Sequence, residues 1–203
     1  MEYILVIVLS YILGSSNMAK YLAAIKRVDL TAGGSGNLGA SNAVILMGWG
    51  AGVLTAVHDI GKSALAVVLA RLMFPDLPHI GAVAGVAAVL GHIYPFWMKF
   101  KGGKGFASYL GMTIALHWKF AIAVLLLVVV VTLVTDYIVA ATTTTIIIVP
   151  IGLGVLTSSW LLPLILLLAS AVIAWKHREN YVRMYHGTEI GFRKAGRGDY
   201  RVK

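Results

Sequence analysis

The chain carries, from Phe106 to Trp175, the apolar run FASYLGMTIALHWKFAIAVLLLVVVVTLVTDYIVAATTTTIIIVPIGLGVLTSSWLLPLILLLASAVIAW. Short polar interruptions at residues 118–119, 135–137 and 157–159 divide this run into four apolar pieces. Segments of about 20 apolar residues with few charges are what membrane-crossing helices require. The run therefore predicts four helices in a bilayer. The first piece is only about 18 Å long as a helix, which suits a half-span or a tilted element.

The N-terminal half continues this pattern with apolar segments at residues 3–24, 43–74 and 79–98. Residues 43–74 are too long for one span, and Gly48-Trp49-Gly50 offers a break. We expect a short re-entrant or interfacial helix at 42–47 and a full span from about Ala51 to Phe74. The sequence thus predicts an all-α polytopic membrane protein with about seven transmembrane helices, or five if neighbouring pieces merge.

The composition agrees with this fold class. The chain is 59% hydrophobic and 12% charged, and its mean hydropathy of +0.86 is too high for a water-soluble globule. It contains no cysteine, which excludes disulfides and thiolate catalysis. We expect one integral-membrane domain over residues 1–203, of which 193–203 form a basic C-terminal tail.

The distribution of charge predicts the orientation of the helices. With seven crossings, one side carries Lys20, Lys26, Arg27, Lys99, Lys101, Lys104 and the basic residues of 176–203. Only Arg71 and Lys119 fall on the opposite side, together with the acids Glu2, Asp76 and Asp136. Because basic loops stay in the cytoplasm, the N-terminus is predicted outside and the C-terminus inside. Topology thereby accounts for most of the net charge of +9, and we expect no nucleic-acid partner.

Three loops on the predicted cytoplasmic side carry residue types suited to binding an anion. The first reads GGSGNLGASN, residues 33–42. Its glycines allow successive backbone N–H groups to point at one anion, and its polar side chains add hydrogen bonds. We take Ser35, Gly36, Asn37 and Asn42 as candidate site residues. A flexible linker is the alternative interpretation.

The second loop ends in Lys101-Gly102-Gly103-Lys104, just before a predicted helix start. Free N–H groups and the positive end of the helix dipole favour phosphate at such a position. The motif is not a Walker loop, because no Ser or Thr follows Lys104. The alternative interpretation is a basic turn whose lysines reach into the membrane interface.

In the third loop, His177, Asn180 and Arg183 follow an i, i+3, i+6 spacing, so they share a broad helix face. An imidazole, an amide and a guanidinium on one face suit proton acceptance and phosphate binding. An ordinary interfacial helix is the alternative.

Ionisable residues inside the predicted spans need a structural or a functional reason, since unpaired charges there are costly. Asp59 and Lys62 are spaced i, i+3 and can pair on one helix face. We interpret them as an ion pair that supports the loops, with a catalytic role as the alternative. His92, at the end of its span, is a candidate supporting residue for the adjoining loop.

These loops resemble the motifs of the bacterial acyl-phosphate:glycerol-3-phosphate acyltransferases, the PlsY family. The resemblance covers residues 1 to about 192. It rests on the following motifs: Gly34-Ser35-Gly36-Asn37 with Gly39-Ala40-Ser41-Asn42; Gly91-His92 with Phe100-Lys101-Gly102-Gly103-Lys104-Gly105; His177 with Asn180, Arg183, Gly187 and Glu189; and the Asp59/Lys62 pair. The chain departs from the family at Thr31, where an arginine usually follows two residues after the aspartate, here Asp29. Lys104, Arg183 and Lys26 are the candidates to replace that charge.

The resemblance implies transfer of a fatty acyl group from acyl phosphate to the 1-hydroxyl of glycerol 3-phosphate. The products would be lysophosphatidic acid and phosphate, and the setting would be phospholipid synthesis in a bacterial inner membrane, with the active site facing the cytoplasm. The partners would be glycerol 3-phosphate, a fatty acyl phosphate and membrane lipid. Glu189 would support the site.

The residues themselves suit this reaction. Acyl phosphate is already activated, so no metal or cofactor is expected. Ser35 is not in a Gly-x-Ser-x-Gly elbow, because Asn37 replaces the second glycine, which favours direct attack over an acyl-enzyme. Ser35 or Asn37 would stabilise the oxyanion. His177 and Asn180 complete the predicted catalytic set, with either His177 or a substrate phosphate as the proton acceptor.

Two other functions use similar features. An organophosphate transporter would also carry basic loops and an intramembrane ion pair, but it should show repeated halves, and none is evident. A CDP-alcohol phosphotransferase would need clustered acids to hold a metal, whereas Asp59 is the only acid predicted inside a span.

Overall fold

A computed structural model describes residues 1–197 of the chain, and these residues form helices and turns without any β-strand. The helices are α1 (Glu2–Gly14), α2 (Met18–Lys26), α3 (Ala40–Met47), α4 (Trp49–Met73), α5 (Ile80–Ile93), α6 (Phe106–Leu116), α7 (Trp118–Thr135), α8 (Ile138–Thr157), α9 (Leu161–Lys176), α10 (Arg178–Tyr185) and α11 (Phe192–Arg197). A single 3₁₀ turn, Phe96–Met98, follows α5. The predicted basic tail, residues 193–203, begins within α11, and its residues 198–203 lie outside the described part.

The number of membrane-length helices agrees with the predicted class. Within residues 1–197, five segments are long and apolar enough to cross a membrane: α1 with α2, α4, α5 with its 3₁₀ turn, α7 and α8. A sixth is formed by α9 with α10, which bend by 49° at His177. The remaining apolar helix, α6, has 11 residues, so it is the short element that the sequence predicts. The structure is an all-helical, polytopic membrane fold.

The first apolar segment is broken, although the sequence predicts one helix over residues 3–24. Its two parts, α1 and α2, meet at Ser15-Ser16-Asn17. The side chain of Asn17 accepts a hydrogen bond of 2.8 Å from the backbone N–H of Lys20 and so caps α2. Its amide also donates to the carbonyl of Leu38 at 3.1 Å. The break therefore ties the first helix pair to the glycine-rich loop.

The predicted short helix before the second span is confirmed as α3, which begins two residues earlier than expected. Gly48 separates α3 from α4 with a φ of 90°. Few residues other than glycine adopt this backbone conformation. The polypeptide therefore reverses tightly at Gly48, and α3 packs back along α4.

Hydrogen bonds between loops show which helix ends lie together. The phenol of Tyr3 donates to the carbonyl of Pro78, and the guanidinium of Arg71 donates to the carbonyls of Ala115 and Leu116. At the other end, the carbonyl of Asp136 accepts from the backbone N–H of Phe192. Asp136 was predicted on the side opposite the tail, and that prediction is wrong. Because α6 ends beside Arg71 at the first end and α7 runs back from there, the turn after α7 returns to the side of the tail.

The helix α5 occupies the centre of the bundle and is buried over most of its length. It is rich in glycine and alanine, and these small residues let neighbouring helix backbones approach closely. A side chain at Gly14 of α1, for example, would collide with the backbone of Ala88. Large apolar side chains of α1, α4, α7, α8 and α9 remain exposed on the outside, as expected for surfaces that face lipid.

Candidate active site

A cavity of about 450 Å³ lies where the three predicted loops meet. Its polar lining comes from the glycine-rich loop and the start of α3, from Lys104 and the start of α6, and from residues 177–190. Its apolar lining includes Val53, Ala56, Phe106, Ile138 and Val139. One cavity therefore offers both a polar and an apolar environment.

The glycine-rich loop is held in shape by the side chain of Asn42. Its carbonyl oxygen accepts from the backbone N–H of Ser35, and its amide donates to the carbonyl of Leu30, each at 2.8 Å. Asn42 is fully buried and lies outside the cavity lining. It was predicted to bind substrate, and the geometry supports instead a role in placing Ser35 and Asn37, both of which line the cavity.

The backbone N–H groups of the second loop were predicted to point at a phosphate, and they point elsewhere. The N–H groups of Gly102 and Gly103 donate to the carbonyls of Ile93 and His92, at 3.1 and 3.2 Å, so they are not available to an anion. A Cβ atom at Gly103 would collide with the imidazole of His92. The paired glycines are thus required by close packing against the end of α5. The exposed Lys101 also lies outside the lining.

Lys104 is the residue of this loop that reaches the cavity, together with Gly105, Phe106 and Ala107. Residues 106 and 107 are the first of α6, whose first N–H groups have no partner within the helix. The first residues of α3, Ala40 and Ser41, line the same cavity. Two helix N-termini and an ammonium group therefore favour an anion here.

A polar network connects Lys104 with the third loop. The ammonium of Lys104 donates to the side-chain oxygen of Asn180. The amide of Asn180 donates to Oε1 of Glu189 at 2.5 Å, and Nε of Arg183 donates to Oε2 of Glu189 at 2.7 Å. Burial lowers the pKa of Lys104, and the nearby charge of Arg183 lowers it further, against the opposing effect of Glu189.

His177 lies directly after α9 and faces the cavity with one nitrogen available. Its Nδ1 donates to the carbonyl of Ile173 at 2.8 Å, and a carbonyl oxygen can only accept. The proton is therefore on Nδ1, and Nε2 is left as an acceptor. In this tautomer His177 offers one hydrogen-bond acceptor to a ligand in the cavity.

A buried ionic cluster lies beneath the cavity. Lys62 Nζ is 2.7 Å from Asp59 Oδ1, and it also donates to the carbonyl of Ser16 at 2.7 Å. His92 Nδ1 lies 3.2 Å from the same carboxylate oxygen and 2.9 Å from Lys62 Nζ. Asp59 and His92 reach the cavity wall. The arrangement is that of the supporting ion pair predicted from the sequence, joined by His92.

The structure brings most of the predicted site residues to one cavity. Nine of them line it: Ser35, Asn37, Asp59, His92, Lys104, His177, Asn180, Arg183 and Glu189. Six do not: Gly36, Asn42, Lys62, Lys101, Gly102 and Gly103. The roles of the individual residues stay predictions.

Two of the three candidates to replace the family arginine at Thr31 line the cavity. Lys104 and Arg183 do so, whereas Lys26 donates its ammonium proton to the carbonyl of Met47 at 3.1 Å. Thr31 itself donates to Asp29 from its backbone and its hydroxyl. The hydrogen bonds from Thr31 hold the pKa of that carboxylate below its ordinary value. Position 31 thus contributes to the loop's shape and not to the cavity.

Several lining residues are absent from the sequence prediction: Trp49, Thr142, Thr188, Ile190 and Phe192. All four threonines of the 142–145 run donate to the carbonyl four residues earlier, as threonines inside helices commonly do. Thr142 nevertheless also lies on the cavity wall. Phe192 is the one of these residues that the sequence could have indicated. It is an apolar residue in a basic tail, and such a side chain requires a packing partner.

The chain matches the family model for glycerol-3-phosphate acyltransferase over residues 4–187. It is 34% identical over 196 residues to the glycerol-3-phosphate acyltransferase of Synechococcus sp. (strain CC9902), covering 96% of this chain and 97% of the relative. The corresponding protein of Geotalea daltonii is 34% identical over 192 residues, covering 94% of this chain and 98% of the relative.

Two solved structures have the same fold. Both are crystal structures of PlsY (YgiH), described as an integral membrane glycerol 3-phosphate acyltransferase. The glycerol 3-phosphate form has a TM-score of 0.89 and 32% identity, covering 95% of this chain and 96% of that one. The lysophosphatidic acid form has a TM-score of 0.86 and 30% identity, covering 96% and 98%. The transporter alternative finds no support in these matches. From its helical architecture, its cavity and these similarities over nearly its whole length, the chain belongs to the glycerol-3-phosphate acyltransferase family.

Proposed function

We propose that this chain transfers a fatty acyl group from acyl phosphate to the 1-hydroxyl of glycerol 3-phosphate, releasing lysophosphatidic acid and inorganic phosphate. The observation that carries the proposal is the mixed lining of the single cavity where the three loops meet. Lys104, Arg183 and two helix N-termini favour phosphate groups, and apolar side chains such as Val53 and Ile138 suit an acyl chain. Both substrates carry a phosphate, and one of them carries a long chain.

The reaction requires one bond to form and one to break. The 1-hydroxyl oxygen of glycerol 3-phosphate bonds to the acyl carbonyl carbon, and the bond from that carbon to the phosphate oxygen then breaks. Negative charge develops on the carbonyl oxygen between these events. Ser35 and Asn37 line the cavity and carry the hydroxyl and amide donors that stabilise such an oxyanion.

His177 would orient the glycerol hydroxyl and not remove its proton. Nε2 is the acceptor that its tautomer leaves available, and it can hold the hydroxyl in a hydrogen bond without taking the proton. A phosphate monoester has its second pKa at about 6, close to the working pH, and glycerol 3-phosphate brings such oxygens to the site itself. In this mechanism the proton passes from the hydroxyl to a substrate phosphate oxygen.

Asn180, Arg183 and Glu189 would form the side of the site that binds glycerol 3-phosphate. Asn180 and Arg183 are both held by the Glu189 carboxylate, which fixes their donors before substrate arrives. A preformed site loses less conformational entropy on binding than a mobile one. The reaction needs no metal or cofactor in this proposal, because the acyl donor is already activated.

The membrane location and the orientation are parts of the same proposal. We place the protein in a bacterial inner membrane, with the cavity facing the cytoplasm and the N-terminus outside. The support is the clustering of lysines and arginines in the loops around the cavity, which the positive-inside rule assigns to the cytoplasm.

The experiment is an acyl-transfer assay with purified protein in detergent micelles. Acyl phosphate and radiolabelled glycerol 3-phosphate are supplied with EDTA, and lysophosphatidic acid is separated and counted. We expect product in the presence of chelator, and a loss of about 10²-fold or more in kcat/KM for Lys104→Ala. Lys119→Ala is the matched control, since this exposed lysine lies at the opposite end of the bundle.

Absence of product from monodisperse wild-type protein would refute the proposal. Product formed only when EDTA is omitted would refute direct, metal-independent transfer. Equal losses in Lys104→Ala and Lys119→Ala would remove the cavity as the site of reaction.

A further inference from the structure

Asp136 binds the C-terminal segment through its backbone and its side chain. Its carbonyl accepts from the N–H of Phe192 at 2.6 Å, and its Oδ1 accepts from the N–H of Arg193 at 2.9 Å. The guanidinium of Arg193 donates to the carbonyl of Leu133 at 2.8 Å. Asp136 adopts a left-handed conformation with a φ of 66° in the turn between α7 and α8, which aspartate tolerates better than most residues.

The segment held by Asp136, residues 188–193, is here called the tail strap. Thr188, Glu189, Ile190 and Phe192 of the strap line the cavity. At its other end, the N–H groups of Thr188 and Glu189 both donate to the carbonyl of Arg183, at 2.8 and 3.2 Å. The strap is therefore fixed at both ends and passes along one side of the cavity. It lies beyond residue 187, where the match to the family model stops.

The strap determines where two functional side chains lie. It carries Glu189, whose carboxylate binds both Asn180 and Arg183. It also places the ring of Phe192 edge-on to Trp49, with ring centroids 6.5 Å apart. Among the described residues, Asp136 meets the backbone of Phe192, and no hydrogen bond joins it to Glu189, Asn180 or Arg183. Any effect of Asp136 on the site must therefore pass through the strap.

We propose that Asp136 is a positioning residue that holds the tail strap in the place where Glu189 orients Asn180 and Arg183 for glycerol 3-phosphate. This inference rests on the proposed function and extends it to a residue outside the cavity lining. The backbone hydrogen bonds contribute more than the charge, because Nε of Arg193 is 4.0 Å from the carboxylate and the arginine side chain is 65% exposed. Exposed ion pairs of this kind contribute little.

Gly191 provides an independent observation for the same contact. A Cβ atom at this position would collide with the carboxylate of Asp136, so the strap backbone lies directly against that side chain. Gly191 has no unusual backbone conformation that would itself require glycine. A methyl group there would push the strap away without altering any residue of the cavity lining.

Four variants separate the contributions. Asp136→Asn keeps the Oδ1 acceptor and tolerates the left-handed conformation, but it removes the charge. Asp136→Gly keeps the backbone conformation and the carbonyl that accepts from Phe192, and it removes only the Oδ1 acceptor of the Arg193 N–H. Gly191→Ala displaces the strap sterically. Gly61→Ala is the matched control, because a Cβ atom at this glycine meets nothing within 4 Å.

The first measurement is hydrogen exchange, read by mass spectrometry on a peptide covering residues 188–193. The amide of Arg193 should exchange faster in Asp136→Gly, and the amides of both Phe192 and Arg193 should exchange faster in Gly191→Ala, in each case relative to the wild type, Asp136→Asn and Gly61→Ala. This readout does not require activity, so it remains informative if the proposed reaction is wrong. Unchanged exchange in both displaced variants would overturn the inference.

The second measurement is kinetic. Asp136→Gly and Gly191→Ala should lower kcat/KM for glycerol 3-phosphate about 10- to 100-fold, as misplacement of binding groups does, mostly through KM. Asp136→Asn should stay within about twofold of the wild type. In a Glu189→Ala background, adding Asp136→Gly should change little further, since the two act in one chain of contacts. Faster exchange without a kinetic effect, or fully additive losses in the double variant, would contradict a positioning role.

Discussion

Nδ1 of His177 lies 2.8 Å from the carbonyl oxygen of Ile173, one turn earlier in the chain, and donates its proton to it. This bond determines which imidazole nitrogen is available to substrate. It also orients the ring toward the cavity. The histidine is therefore held as a fixed hydrogen-bond acceptor for a ligand in the cavity.

His177→Gln tests the two roles. The amide oxygen of glutamine can replace the Nε2 acceptor, but an amide does not take a proton. We expect turnover within about tenfold of the wild type and a raised KM for glycerol 3-phosphate, whereas a general base would cost about 10²–10⁴ in turnover. Steady-state kinetics on folded protein provide the measurement. A fall in turnover of about 10³ with unchanged KM would contradict positioning and assign His177 as the base.

Lys104 predicts a pH dependence. Burial lowers its pKa from the ordinary 10.5, so the ammonium loses its proton at a lower pH than an exposed lysine does. The value of kcat/KM for glycerol 3-phosphate should therefore fall as the pH rises through that lowered pKa. Lys104→Arg should shift the decline to higher pH, because arginine stays charged up to about pH 12. The exposed Lys101 supplies the control, and a shift in Lys101→Arg of the same size would argue against Lys104.

The buried cluster predicts an asymmetry between single and double substitutions. Asp59→Asn or Lys62→Met leaves one charge buried without its partner, and each should destabilise the protein by about 3–5 kcal/mol. The double variant removes both charges and should be more stable than either single variant. Thermal unfolding in one detergent measures this. Equal and additive losses would show that the charges are not coupled, despite the 2.7 Å contact.

The orientation in the membrane is testable because the chain has no native cysteine. Single cysteines at Ala32, Lys101 and Tyr185, all exposed at the cavity end, should react with a membrane-impermeant maleimide only from the cytoplasmic side. Cysteines at Asp76 and Lys119, exposed at the opposite end, should react only from outside. Labelling of intact cells against inverted vesicles distinguishes the two. Reaction of Lys101→Cys and Asp76→Cys from the same side would break the predicted arrangement.

The positions of the helices follow from local sequence because the membrane imposes a strict rule. A charged or strongly polar residue is costly inside hydrocarbon. Lys119, Asp136 and Ser158 therefore mark helix ends that can be located from the sequence alone. The short helix before Gly48 was predictable for the same reason, since residues 43–74 exceed the thickness of a bilayer. The break at Asn17 was not, because a cap within an apolar segment depends on the glycine-rich loop that Asn17 contacts.

The residue types of the site were also available from the sequence, and nine predicted side chains do line one cavity. Their roles relative to one another depend on how the helices pack. Hydrogen-bond direction cannot be read from a glycine pair, and Gly102 and Gly103 point their N–H groups at α5 and not at the cavity. The amide of Asn42 could equally bind a ligand or stabilise the glycine-rich loop. In the structure its hydrogen bonds to Ser35 and Leu30 stabilise the loop.

Local sequence therefore determined the membrane class, most of the helix boundaries and the chemical types of the site, because hydrophobicity and charge act residue by residue. Only the tertiary structure decided which groups meet. Lys104 and Asn180 are 76 positions apart, and Asp136 and Arg193 are 57 apart. Such contacts depend on the number of crossings and the packing angle of every helix between them. A single miscounted side, as for Asp136, hides a contact that the three-dimensional arrangement makes direct.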